Sequence, residues 1–341
     1  MNVVSNTYLY KRVRYLLFEK RFHYQFNLSS ILSFVSHYRY FFLLILLYGI
    51  TRFINLTILP IFNDESLYLR WGWLEVQSKN WFISLYDGKQ PLLTWAFGYA
   101  QMFFTDPLYA GRLVSILTGL VTLIGIFKIG TKFFTEKFAL IAGFFYIILS
   151  IFVFYDRMAL MESSISAVGI WSCYFFLSLV KKPTILMAGL LGATLGIGLF
   201  DKSDAGIFLV TTVILGGIIG FYYKHWKEKK YLFLLLFFSL EVCFIVLLPL
   251  LMQKNVYDIV HYNTRYSYTL PQIFYHFPPI LIKNVPATFF LLWGYLTPVP
   301  FFLSIAGIIF FSQVKRQVCK TTGRMVFITN AFFYPFYHIS N

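Results

Sequence analysis

Residues 61–95 read IFNDESLYLRWGWLEVQSKNWFISLYDGKQPLLTW, and the fold turns on where this stretch lies. It opens near an adjacent acidic pair, Asp64 and Glu65, and closes beyond Lys89 and Pro91. The 341-residue chain around it is 58% hydrophobic, 21% aromatic and only 13% charged. A soluble domain carries about a quarter charged residues, so the composition is that of a membrane protein. A charge near a bilayer is costly and tends to be paired or functional. Carboxylates and a lysine collected in one long connection therefore point to a site.

Working outward from this connection, apolar runs occupy 40–59, 107–127, 138–154, 159–180, 184–200, 205–223, 231–251 and 286–311. Each approaches the roughly 20 residues that cross a bilayer as a helix. A stub at 325–336 is too short to cross unaided. The expected fold class is all-α, a polytopic membrane helical bundle of about eight to nine transmembrane helices. Two interfacial helices are expected in the first outer loop, at 67–76 and 91–105. Gly189, Gly192, Gly196 and Gly198 permit close helix contacts. The chain is expected to divide into a basic cytoplasmic leader at 1–39, a transmembrane catalytic module at 40–311 that includes the outer loop 60–106, and a cytoplasmic loop with a truncated last helix at 312–341.

The formal charge of +15 raises the question of nucleic acid. Its placement answers it: the cations sit in short clusters between apolar runs, with no aromatic-basic groove or DNA-binding motif. The clusters are the leader, Lys128/Lys132/Lys137, Lys181/Lys182, Lys224/Lys227/Lys229/Lys230 and Lys315/Arg316/Lys320/Arg324. All five fall on one side of the spans above, which the positive-inside rule makes the cytoplasm. Treating 91–105 as a span would break that agreement. The outer side then receives Asp64, Glu65, Lys89, Asp156, Arg157, Glu162, Asp201, Lys202 and Asp204. The last large outer loop, 252–285, is rich in Tyr, His and Pro and reads equally as a lid or acceptor platform and as an inert loop.

Cys173, Cys243 and Cys319 form no CxxC pair, and the six histidines show no metal-ligand spacing. No cofactor is expected; a divalent metal is unsupported and stays open.

Each site residue has a plainer reading. Asp64 and Glu65 suit the start of a helix, where carboxylates meet free N–H groups and the positive end of the dipole. Lys89, held extended by the approaching Pro91, is placed to meet a phosphate, or to snorkel at the membrane edge. Arg157 and Glu162 are five apart, so they do not stack on one helix face. The convergence of these charges on one face carries the argument.

Taken in order, the residues resemble the GT-C fold glycosyltransferases, closest to the protein O-mannosyltransferase and lipid A aminoarabinose transferase branch. The resemblance rests on Asp64, Glu65 and Tyr68, the K-x-P-L turn (Lys89, Pro91, Leu92), and GRL (Gly111, Arg112, Leu113). R-M-A-x-x-E (Arg157 to Glu162) and a lysine after a Gly-rich helix (Gly196, Gly198, Lys202) follow in the expected order. Two departures stand out: Gln90 occupies the place of a frequent first proline, and Glu162 that of the usual Asp.

The resemblance implies inverting transfer of a sugar from a polyprenyl-phosphate donor to a lipid, glycan or protein acceptor. The active site would lie on the extracytoplasmic side of the cytoplasmic (plasma) membrane. It implies Asp64 and Glu65 as catalytic, with Asp64 the general base, and Lys89, Arg157 and Lys202 at the donor phosphate. Tyr68, Arg112 and Glu162 would support them. A lipid or sugar transporter, or flippase, would instead place charges near mid-membrane on discontinuous helices. An inactive truncated relative is the other alternative.

Overall fold

The computed structural model describes residues 39–222, 226–263 and 270–307; the leader before them, Cys319 and the 325–336 stub lie outside the described residues. Chain contacts separate Met1–Leu43 from Leu44–Asn341. Of the first unit only the opening turn of the first helix is described, and every other described element belongs to the second.

Among the described residues the regular structure is entirely helical. Helix α1 spans Arg39–Phe53, α2 Asn63–Ser78 and α3 Leu92–Ala100, with a short 3-10 helix at Ile83–Asp87 between the last two. Then come α4 (Pro107–Phe133), α5 (Glu136–Ile148), α6 (Ser150–Asp156), α7 (Glu162–Lys181) and α8 (Ile185–Asp201). A 3-10 turn at Ser203–Ala205 leads into α9 (Gly206–Tyr222), α10 (Trp226–Leu251), α11 (Val256–Asn263), α12 (Leu270–Leu296) and α13 (Pro298–Gly307).

Among the described residues, five helical stretches are long and apolar enough to cross a membrane: Pro107–Phe133, Glu162–Lys181, Ser203–Gly220, Lys230–Leu251 and Phe277–Leu296. The pair α5 and α6, bent by 67°, makes a sixth if it forms one span. The two remaining apolar runs in the sequence, α1 and α8, fold as helices of 15 and 17 residues. The last span begins before the position expected at 286. It stops at Leu296 because Thr297 takes a left-handed φ of 62° in front of Pro298, which cannot continue the helical hydrogen bonding. Both short helices expected in the first long connection are present, α2 beginning four residues earlier than the apolar pattern alone suggests.

Local chemistry sets these boundaries. Asp106 caps α4 by accepting from the Leu108 N–H at 2.9 Å, ahead of Pro107 at the first helical position. Thr135 and Thr184 cap α5 and α8 in the same way. The break between α5 and α6 frees backbone carbonyls that a membrane interior would leave unsatisfied. Arg52 supplies the donors: Nη1 meets the Ile147 carbonyl at 2.6 Å and Nη2 the Tyr146 carbonyl at 3.3 Å. Its charge is balanced by Asp156, 3.1 Å away, which also accepts from the Tyr146 and Ser163 hydroxyls.

Helices α4 and α7 run side by side. Thr118 meets Ser163 at one end, and Lys132 meets Ser178 at the other. Helix α8 lies against α10, where Cβ atoms on Gly192 and Gly196 would strike the Ser239 carbonyl and Val246 respectively. The small residues thus let two backbones approach, as packing between membrane helices requires. Arg52, Arg112, Asp156, Glu162 and Asp201 all lie near helix ends, where Arg52 meets Asp156, Arg112 meets Glu65, and Ser163 and Ser164 at the start of α7 donate to Asp156 and Asp201. Lys132 and Lys181 are at the opposite end.

Candidate active site

Helix α2 is where the site begins. Its first turn carries Asp64 and Glu65, whose charge suits the exposed N–H groups there. Glu65 turns back so that Oε2 accepts from the Phe62 N–H at 2.9 Å, closing the start of the helix. The buried stripe of α2 runs Glu65, Tyr68, Leu69, Gly72, Glu75.

Glu65 has no exposed surface. Arg112 donates to it from Nε and Nη2, each at 2.9 Å, and the Ala159 N–H donates at 2.7 Å. The other Arg112 donors reach the carbonyls of Leu56, Leu59 and Pro60. One ion pair therefore ties α2, the start of α4, the 56–60 segment and the turn after Arg157.

Asp64, the next residue back, is exposed, and among the described residues its carboxylate has no hydrogen-bond or ion-pair partner. One turn on is Tyr68, buried beneath it. The phenol lies in the field of Asp64, Glu162, Lys202 and Asp201. Burial, then Asp64 and Glu162, push its pKa above the ordinary phenol range, so Tyr68 stays protonated and able to donate.

Lys89 arrives on a turn built by glycine. Gly88 has φ +68°, and a Cβ there would meet the Tyr262 side chain of α11 at 2.7 Å. The Lys89 N–H bonds the Ser84 carbonyl at 3.1 Å, while its ammonium is partly buried and unpaired among the described residues. Beside it, Gln90 donates to the Ser203 hydroxyl, fastening this turn to the one after α8. There Lys202 forms ion pairs with Glu162 at 2.8 Å and Asp204 at 3.1 Å. Burial alone would lower its pKa; Glu162 and then Asp204 outweigh that and raise it. Asp201 is buried and accepts from Ser164. Helix α11, in the segment read as a lid or platform, packs Ile259 against Leu85 and Phe200 beneath the Lys89 turn.

Arg157 donates twice from Nη2, to the carbonyls of Ile54 (2.9 Å) and Asn55 (2.7 Å). Its Nε is buried, with no hydrogen-bond partner among the described residues. Burial, then Arg112 and Arg52, lower its pKa. It borders an open cavity of about 450 Å³ lined by Ile58, Leu59, Ile148, Ser150, Val153 and Phe154. Asp64, Tyr68, Glu162 and Lys202 are thus drawn into one neighbourhood, with Lys89 tethered to it through Gln90. Arg157 makes no direct bond to any of these among the described residues. Nor, among those residues, do three His, Cys, Asp or Glu side chains gather into a group that would hold a metal ion.

Residues 88–251 match the family model of the dolichyl-phosphate-mannose-protein mannosyltransferases. The match supports a GT-C glycosyltransferase-like fold, and with it a membrane glycosyltransferase, mannosyltransferase-like, that draws on polyprenyl-phosphate sugar donors. No curated protein and no solved structure matches the chain. The matched stretch contains Lys89, Arg112, Arg157, Glu162 and Lys202, and begins after Asp64, Glu65 and Tyr68.

Sequence reasoning passed over three residues of this region. Arg52 lies within an apolar run and gave no signal beyond being a lone cation there. Glu75 was legible in principle, since it continues the buried face of α2 at helical spacing from Glu65, Tyr68 and Gly72. Gln90 registered only as a missing proline, whereas its side chain joins two turns.

Proposed function

We propose that the chain transfers a sugar from a polyprenyl phosphate to a hydroxyl acceptor at the extracytoplasmic face, with inversion at the anomeric carbon and Asp64 as general base. The acceptor oxygen forms its bond to the anomeric carbon as the bond from that carbon to the phosphate oxygen breaks. Asp64 takes the acceptor proton, and the electron pair leaves with the lipid phosphate. What supports this most is the contrast between two neighbouring carboxylates: Glu65 is sealed by Arg112, whereas Asp64 is exposed, unpaired among the described residues, and one turn from Tyr68. A base must reach the proton that it removes, and only the second of these is open to an acceptor.

The cations divide in the same way. Lys202 is already held by Glu162 and Asp204, so a phosphate would compete with two carboxylates for it. Lys89 carries no such burden and suits the developing negative charge on the leaving phosphate as a point charge. Arg157 borders a cavity that opens among apolar side chains, which fits a phosphate bearing a lipid tail. Glu65, Arg112 and Glu162 act as positioning residues. Reconstituted protein supplied with a labelled mannosyl polyprenyl phosphate tests the proposal. Label should appear in acceptor, in the anomeric configuration opposite to that of the donor; retained configuration, or no label in acceptor from any polyprenyl-phosphate sugar, would overturn it.

A further inference from the structure

Glu75 is a second fully buried acid on α2, and among the described residues it has no cation. The groups that face it are Thr94 from α3 and Ser84 from the 3-10 helix. Arg112, the charged residue that α4 directs at α2, is spent on Glu65. An isolated carboxylate buried this way ordinarily neutralises itself. The hydrogen bonds point in the same direction. Thr94 Oγ1 lies 2.6 Å from Glu75 Oε2 and 2.8 Å from the Pro91 carbonyl. A hydroxyl has one hydrogen to give, so it satisfies both contacts only if Glu75 donates to it.

We infer that Glu75 holds a proton in the folded protein and, by donating to Thr94, positions the Lys89–Gln90–Pro91 turn. The relay then runs from Glu75 Oε2–H to Thr94 Oγ1, and from Thr94 O–H to the Pro91 carbonyl, while Glu75 Oε1 accepts the Ser84 N–H at 3.2 Å. Once the proton leaves, Thr94 turns its hydrogen to the carboxylate and the Pro91 carbonyl loses that bond. Pro91 stands at the cap position before α3 and directly follows Gln90, so the loss is felt at the residue that fastens the Lys89 turn to Ser203. Glu75 is a positioning residue, acting through Thr94 and the Pro91 backbone. Burial pushing its carboxyl up to about 7 places the switch near neutral pH.

The inference rests on the proposed role of Lys89 for its kinetic consequence but not for the proton itself, so two readouts separate them. In infrared spectra of the reconstituted protein at pH about 6, the difference between wild type and Glu75→Gln should show the carbonyl stretch of one protonated, buried carboxyl group, with the buried Asp156 and Asp201 cancelling between the two. In transfer assays, the wild-type kcat/KM for the polyprenyl-phosphate donor should fall roughly tenfold per pH unit above about 7, through KM more than kcat. Glu75→Gln, whose amide donates to Thr94 at every pH, should keep its acid-side kcat/KM across the alkaline range, and Glu75→Ala should lose it throughout. An unchanged alkaline limb in Glu75→Gln, or no protonated carboxyl band in the difference between wild type and Glu75→Gln, overturns the inference. Absence of transfer by wild type would overturn the proposed function while the infrared result still decides the proton.

Discussion

Arg112 and Glu65 meet through two parallel contacts of 2.9 Å, with no part of either side chain exposed. Breaking such a pair by removing one member leaves a buried charge, at a cost of about 3–5 kcal/mol, while replacing both with apolar groups can be nearly neutral. Arg112→Met should therefore lower the unfolding temperature of the detergent-solubilised protein sharply, and adding Glu65→Leu should recover part of the loss. If Arg112→Met leaves thermal stability unchanged, the pair does not hold α2 to α4.

Gln90 and Ser203 join the two turns that carry Lys89 and Lys202. A hydrogen bond of this kind is worth about 1 kcal/mol net. Gln90→Ala and Ser203→Ala should each weaken donor use by several-fold, and the double variant should be no worse than the single ones. A double variant whose loss is the product of the two would show that they act separately.

Helices α2 and α3 touch backbone to backbone at Gly72 and Gly98, where a Cβ on either would collide with the other's main chain. Gly72→Ala should force the helices apart and destabilise the protein by about 1–3 kcal/mol, as overpacking does. Its unfolding midpoint in denaturant reports this; an unshifted midpoint would contradict the close approach.

Glu75 also ties stability to pH. Its carboxyl, near 4.5 in an unfolded chain, is pushed up to about 7 in the folded protein, so the folded state binds the proton more tightly. The contribution is complete below the unfolded value and is lost as pH rises through about 7, roughly 3 kcal/mol in all at 1.36 kcal/mol per pKa unit. Wild type should lose stability over that interval relative to Glu75→Gln, as thermal melts at several pH values would reveal. Parallel curves for the two proteins would contradict it.

The fold was legible because lengths of apolar sequence and placement of cations are enforced by the bilayer. It blurred where the determinants are distant in sequence. The split of one apolar run into α5 and α6 depends on Arg52, some 95 residues away, filling the carbonyls at the break. Likewise, the adjacent Asp64 and Glu65 look equivalent in the sequence. Their difference arises only when Arg112, 47 residues on, selects one of them. Glu162 and Lys202 were both singled out as charges of the same face, but that they pair with each other comes from the packing of α7 beside α8.

The most direct test is the effect of Asp64→Asn on sugar transfer from a polyprenyl phosphate, in membranes where the variant accumulates to the wild-type level. Asp64 lies on the surface without a partner among the described residues, so the substitution should spare the fold. Loss of the base predicts a decrease in kcat of about 10²–10⁴-fold with donor KM little changed. Transfer at the wild-type rate by Asp64→Asn would contradict the account.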